Sequence, residues 1–251
     1  MTLPRIDFNC DLGEGADDAA VLPCISSASI ACGFHAGDPV LMQRTVALCM
    51  EHGVAIGAHP SVFDREGYGR RELAVSPDEA YALALYQIGA LQALTKAAGA
   101  RLRHVKPHGA LYNLSARNRK VAEAIARAVR DIDHELILFG LAMSESTAAG
   151  ERLGLVVAHE VFAERRYEAD GLLTPRGTPG AVIATLEESL AQVRQILRDG
   201  SVTARTGERV PLRADTLCLH GDRADAAEFA RRLRQALQAE GTEIRAVGAS
   251  A

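Results

Sequence analysis

Short runs rich in β-branched and apolar residues recur along the chain, and longer stretches with apolar residues at helical spacing lie between them. That alternation is the pattern of βα units wound around a parallel sheet. Strands are predicted at residues 5–10, 29–34, 54–58, 104–107, 136–141, 155–161 and 216–219, with a short one at 243–247. The helices carry the clearest punctuation. Asp38 and Pro39 supply an N-cap and a first-turn proline, and Gly53 ends that helix. Ser76, Pro77 and Glu79 form a capping-box sequence, followed by Ala80, Leu83, Ala84, Ile88 and Leu91 on one face, with Gly99 past the end. Thr178 and Pro179 predict the start of a third helix that closes at Gly200, while residues 115–130 and 224–240 have helical periodicity with weaker starts.

Seven or eight βα units in 251 residues, with no Pro-, Gly- or Ser-rich linker and no internal repeat, predict an α/β fold of one domain spanning residues 1–251. A closed parallel (β/α) barrel uses that many units better than an open doubly wound sheet, which stands as the alternative.

Nearly every predicted strand ends in a cluster of ionisable residues and glycines. These are Asp7, Asn9, Asp11 and Glu14; His35 and Asp38; His59; Lys106 and His108; His159 and Glu160; and His220 and Asp222. On a parallel barrel such clusters converge at the C-terminal rim, where active sites form. Period two places Ile6, Phe8 and Cys10 on one face of the first strand and Asp7, Asn9 and Asp11 on the other. A polar row directed into a barrel requires partners, a ligand or a metal. Lys106 and His108 share a face in the same way, as do Gly57 and His59.

Bland readings compete at several of these positions. Asp38 reads as a helix cap rather than an acid, and Asp222 reads equally as cap or site residue. Each of His35, His59 and His108 alone would be a satisfied buried histidine; together at corresponding strand ends they read as function. His52, His104 and His134 carry no functional claim. Residues 64–72 read as a charged, mobile loop over the rim, or simply as a solvated one. Arg70, Arg165 and Arg176 are of the type that binds carboxylate or phosphoryl groups.

Composition narrows the field. With 48% hydrophobic residues the chain can bury a sizeable core, and a net charge of −4 without a basic block argues against nucleic acid and membrane surfaces as partners. No stretch is apolar enough to span a bilayer, and Met1 is followed by no signal-peptide pattern, which predicts a cytoplasmic protein. Five cysteines without a C-x-x-C spacing read as buried apolar side chains in a reducing compartment. Nucleophile-elbow, dinucleotide, zincin and phosphate-loop motifs are all missing, so the chain shows no ATP-binding motif of its own. Carboxylate, imidazole and lysine chemistry remains, suited to hydrolysis of a C–N bond by general acid and base or by a metal-activated water. Asp11, His35, His59 and His108 are metal-ligand types, but no tight spacing demands a metal, so that question stays open.

Six stretches then carry a resemblance: residues 7–15 (DFNCDLGEG), 30–39 (IACGFHAGDP), 57–60 with 67–71 (GAHP, GYGRR), 105–113 (VKPHGALYN), 160–176 (EVFAERRYEADGLLTPR) and 218–222 (CLHGD). In this order and register the chain resembles the LamB/YcsF family, the A subunits of bacterial 5-oxoprolinase. It departs from that pattern at Phe8, Ala16 and Ser29. The resemblance implies a seven-stranded barrel of glycoside hydrolase/deacetylase type. It also implies partner subunits B and C, with which 5-oxo-L-proline, ATP and water become glutamate, ADP and phosphate, ATP being handled with the partners. On that reading Asp11, His59, Lys106 and His108 are the catalytic candidates. Asn9, Glu14, His35, Arg70, Glu160, Arg165, Arg176, His220 and Asp222 are candidates for binding substrate. Asp11 or His59 would activate water, Lys106 and His108 would meet developing charge or protonate the leaving nitrogen, and an arginine would hold carboxylate or phosphate. The competing functions are a stand-alone metal-dependent amidohydrolase or deacetylase and a non-catalytic channelling subunit.

Overall fold

Strand β1 (Arg5–Leu12) sets the plan of the molecule, because both of its faces are buried and they are chemically opposite. Ile6, Phe8, Cys10 and Leu12 join the apolar layer beneath the helices, and Asp7, Asn9 and Asp11 point into the sheet's closed interior. The computed structural model describes residues 4–219 and 225–249. After β1 come α1 (Asp18–Val21), a 3-10 turn (Leu22–Cys24), β2 (Ser27–Ala31), α2 (Pro39–His52), β3 (Ala55–His59), α3 (Pro77–Ala97), β4 (Leu102–Val105), α4 (Gly109–Arg117) and α5 (Arg119–Ile132). The chain continues through β5 (Ile137–Leu141), α6 (Glu145–Arg152), β6 (Val157–Phe162), α7 (Leu186–Asp199), the antiparallel pair β7 (Ser201–Thr203) and β8 (Arg209–Pro211), β9 (Thr216–Leu219), α8 (Ala226–Ala239) and β10 (Glu243–Ile244).

Among the described residues, seven parallel strands in the order β1-β2-β3-β4-β5-β6-β9 form a barrel that closes where β9 returns to β1, with Asn9 opposite Cys218. β10 pairs only with the start of β1, at Arg5 and Ile6, ahead of the residues that pair with β9. The parallel barrel expected from the alternation of elements is therefore the observed one.

Local signals positioned α2 and α3. Asp38 caps α2 through the Val40 and Leu41 amides, and Gly53 closes it in the left-handed region. Ser76 and Glu79 make both bonds of a capping box on α3, whose Ala80, Ala84, Ile88 and Leu91 are buried. Fully burying each such large aliphatic side chain contributes roughly 1.5–3 kcal/mol.

Three expectations need correction. The helix expected from Thr178 begins instead at Leu186, capped by Thr185. Residues 181–183 are committed elsewhere: Val182 bridges to Arg165, and the Ile183 amide bonds the Glu164 carbonyl, so the Thr178-Pro179 signal makes only a turn. The helical stretch at 115–130 is two helices, broken at Asn118, whose extended backbone ends α4 and whose side chain caps α5. Residues 64–72 are clipped to the rim instead of standing free over it. Buried Asp64 accepts from the Gly67 amide and from Arg71, while Arg65 donates to the Gly33 and Gly37 carbonyls. Helix α6 and the β7–β8 hairpin were not anticipated.

The barrel interior is polar and largely satisfied from within. Asp7 accepts bonds from Ser26, Ser27 and Thr216 at 2.6–2.7 Å, and burial raises its pKa despite them. His104 contacts Ser29 at 3.2 Å and stacks on Phe139, in a space kept open by Gly57, where a Cβ would lie 2.0 Å from the ring. Burial, then Lys106, pushes the His104 pKa down to about 3. His104 is thus neutral in the fold but protonates in the unfolded chain below its ordinary 6.5, so its stabilising contribution is complete above that pH and is lost as pH falls toward 3. Between pH 7 and pH 4 this residue is expected to remove on the order of 3 kcal/mol of stability. Urea unfolding across that range should show a shallower acid limb for His104→Gln than for wild type; equal slopes would refute the assignment.

Candidate active site

Lys106 follows β4 and extends its ammonium into the mouth of the barrel. Nζ lies 2.5 Å from Asp11 Oδ1, 3.0 Å from Glu160 Oε1, 2.9 Å from Asn9 Oδ1 and 3.3 Å from Cys218 Sγ. Strands β1, β6 and β9 and the end of β4 therefore meet at one charge. Burial alone would depress this ammonium, but Asp11 and Glu160 outweigh it and hold its pKa well above the ordinary value. Asn9 also donates to Thr216 and to Glu160 Oε1, the same carboxylate oxygen that Lys106 contacts.

Beside this ion cluster stand the imidazoles of His59 and His108, whose tautomers are set by backbone carbonyls. His59 Nδ1–H donates to the Lys106 carbonyl at 2.7 Å, and His108 Nε2–H donates to the Tyr68 carbonyl at 2.9 Å. The remaining nitrogens, His59 Nε2 and His108 Nδ1, face each other at 2.9 Å. In neutral rings both are lone pairs. Asp11 Oδ2 lies 3.3 Å from His59 Nε2, and Glu14 Oε1 lies 3.4 Å from His108 Nδ1. Acceptors thus converge on a point that only a proton or a metal cation can satisfy. Burial, then neighbouring His59, pushes the His108 pKa well below its ordinary value. His35 donates to Glu14 at 2.8 Å, stacks on His108 at 3.8 Å, and is itself held neutral chiefly by burial.

The Tyr68 carbonyl reaches His108 because of two interlocked glycines. Gly69 and Gly109 both have positive φ, and a Cβ on Gly109 would lie 2.4 Å from the Gly69 carbonyl oxygen, which accepts the Ala110 amide. Tyr68 itself has φ 57°, an uncommon state for a side-chain-bearing residue, held by this packing.

A cavity of about 350 Å³ opens above these groups. The predicted residues Asp11, His59, Lys106, His108 and Glu160 line it together with Arg70, Arg165 and Arg176. Glu14 and His35 sit behind the imidazole pair and line an adjoining depression. Asn9 lies deeper, in the barrel. His220 and Asp222 lie outside the described residues. Sequence reasoning missed Tyr112, which also lines the cavity one helical turn after His108. Its hydroxyl is buried beside Glu160, and burial, then Glu160, raises the phenol's pKa well above its ordinary value.

The sequence profile of the LamB/YcsF family matches residues 6–251. The chain belongs to the LamB/YcsF family. A relative from Bordetella pertussis, named as the A subunit of 5-oxoprolinase, is 52% identical, with 97% of this chain and 99% of the relative covered. The crystal structure of the lactam utilization protein from Thermus thermophilus is 45% identical and superposes with a TM-score of 0.89, covering 96% of this chain and 99% of that one. A peptidoglycan N-acetylglucosamine deacetylase catalytic domain from Eubacterium rectale shares the fold alone, at 11% identity and a TM-score of 0.54, with 99% of this chain and 91% of that one covered. The seven-stranded, deacetylase-type barrel expected of the LamB/YcsF family is thus the one observed. No helix among the described residues is long and apolar enough to cross a membrane, and all five cysteines are buried and free.

Removing the central ammonium should expose what it neutralises. Lys106→Met leaves Asp11 and Glu160 buried without their cation, and is expected to cost about 3–5 kcal/mol in urea unfolding. Adding Glu160→Gln should recover part of that loss; a Lys106→Met protein as stable as wild type would show that the cluster does not depend on the lysine.

Proposed function

We propose that this chain is the A component of an ATP-dependent 5-oxoprolinase, which opens the lactam of 5-oxo-L-proline to give L-glutamate. The observation that carries this reading is the pairing, on one cavity wall, of an ammonium held between carboxylates with an acceptor-only imidazole pair. A lactam carbonyl needs a cationic donor for its developing oxyanion, a carboxylate to take the proton of the attacking water, and a proton for the leaving nitrogen. Lys106 supplies the first and Asp11 the second. The proton that Asp11 takes from water passes to His59 Nε2, 3.3 Å from Asp11 Oδ2, and from the imidazole pair to the leaving nitrogen; the neutral Tyr112 phenol faces the same space. Family membership and the names of the relatives support the substrate.

Amides resist hydrolysis, and the chain has no phosphate loop. The reading therefore assigns ATP-dependent activation of the lactam oxygen to partner subunits B and C, with this chain, a single barrel domain in the cytoplasm, carrying out the ring opening. Glutamate release should occur only when this chain and its partner pair are combined with 5-oxoproline and ATP. Asp11→Asn and His108→Ala are each expected to lower that turnover by about 10²-fold or more while the protein stays folded. Near-wild-type rates in both would remove the assignment, and turnover without partners would favour a stand-alone amidohydrolase.

The donor set also fits a divalent metal. His59 Nε2, His108 Nδ1 and Glu14 would hold it, with His35 in reach, since these four groups offer ligand atoms within 4.8 Å of one another. Both imidazoles already donate their other N–H to a carbonyl, the usual outer-shell arrangement of metal-binding histidines. Bound there, a metal would supply Lewis acidity toward the carbonyl or water. Calorimetric titration of the metal-free protein with zinc should show stoichiometric binding that is lost in the His59→Gln/His108→Gln double variant. Absence of binding would leave the proton as the occupant.

A further inference from the structure

The cavity that the imidazoles line also holds a charge that the ring-opening chemistry does not use. Arg165 is 4% exposed, yet its guanidinium is only partly engaged: Nη2 donates to the Thr174 carbonyl at 2.6 Å, and among the described residues Nε has no hydrogen-bond partner. A dry guanidinium with an unpartnered N–H is costly unless a ligand completes it. Its placement is built and not incidental. Gln192 of α7 donates from one amide nitrogen to both the Phe162 and Arg165 carbonyls, at 2.9 and 3.0 Å. The backbone of Arg165 bridges to Val182, and the fully buried Tyr167 hydroxyl accepts the Phe162 amide at 2.9 Å. Arg176 and Arg70 line the same cavity.

From this geometry we propose that Arg165, with Arg176 and Arg70 beside it, forms an oxyanion subsite that holds one anionic group of the substrate while the lactam is presented to Lys106 and Asp11. The inference rests on the lactam-opening reading of this cavity. The guanidinium fork matches a carboxylate or a phosphoryl group. Two sources offer that chemistry: the carboxylate of 5-oxoproline itself, or the phosphoryl group of an activated lactam. Charge supports the subsite: burial first, then Arg176 and Arg70, bring the Arg165 pKa down to about 10, so an arriving anion relieves both desolvation and mutual repulsion. A substrate that carries its anion at a fixed distance from the amide bond would be oriented by this subsite, and a lactam with no anionic group would leave Arg165 dry and unpaired.

The test titrates the full-length chain with 5-oxo-L-proline, its neutral carboxamide and inorganic phosphate, for wild type, Arg165→Met and Arg176→Gln. If the carboxylate is the ligand, 5-oxoproline binds about 30-fold or more tighter than the carboxamide, and Arg165→Met removes that difference while leaving carboxamide binding unchanged. If the phosphoryl group is the ligand, phosphate binding depends on Arg165 while 5-oxoproline and its carboxamide bind alike. Arg165-dependent phosphate binding without any 5-oxoproline binding would keep the subsite and sink the lactam reading. Binding of no probe, or equal binding of every probe to wild type and folded variants, would overturn the subsite; Arg176→Gln carries the comparison if Arg165→Met does not fold, as judged by circular dichroism.

Discussion

The buried ammonium of Lys106 is the interaction on which the site depends. It lies between two carboxylates that come from strands 149 positions apart in sequence, Asp11 on β1 and Glu160 on β6, and the barrel must close for them to meet. Breaking such a cluster costs far more than making it contributes, because each remaining charge stays in a low-dielectric interior. Its value is therefore in specifying geometry. Asn9, Thr216 and Cys218 are drawn into the same network, so the β1–β9 seam that closes the barrel also anchors the ion cluster.

The imidazole pair is fixed by a different device. Lys106 contributes twice, its side chain to the carboxylates and its carbonyl to His59 Nδ1–H, so the orientation of His59 is tied to the position of the ammonium. His108 is tied instead to the segment at 64–72 through the Tyr68 carbonyl, and that segment is tied to the rim by the Asp64 amide, which donates to the Phe34 carbonyl, and by Arg65. Backbone groups, not side chains, thus decide which nitrogens carry lone pairs. This arrangement keeps the reactive nitrogens directed at one point and leaves the charge there to be supplied by a proton or a metal.

Much of this was legible in the sequence where the physics is local. The alternation of Ile6, Phe8 and Cys10 with Asp7, Asn9 and Asp11 identified both the strand and the inward polar row, since period two leaves no other arrangement. Asp38 and the Ser76–Glu79 box act within a few residues and were correctly placed. Thr178-Pro179 has the same local form but lost to tertiary pairing, because Val182 is needed opposite Arg165. The break at Asn118 was hidden inside a continuous helical periodicity. The tautomer locks were illegible for a deeper reason: a carbonyl acceptor leaves no mark in residue identity, so neither Tyr68 nor the facing lone pairs could be read from residue types. Tyr112 was missed because a tyrosine one turn into a helix looks like core.

The division of labour across the cavity follows from the fold. The groups suited to bond cleavage stand on or just after β1, β3, β4 and β6, where hydrogen bonds between strands hold them rigidly. The arginine wall is carried mainly by residues 163–185, an excursion between β6 and α7 stabilised by its own bridges and by Gln192. The excursion and the Lys106 cluster meet along the end of β6, at Glu160, the Phe162 carbonyl and the Ala163 amide, which bonds the Cys218 carbonyl. On the proposed reading strand ends set the chemistry and the excursion sets recognition, so a barrel shared with a deacetylase at 11% identity can hold a cavity lined by guanidinium groups.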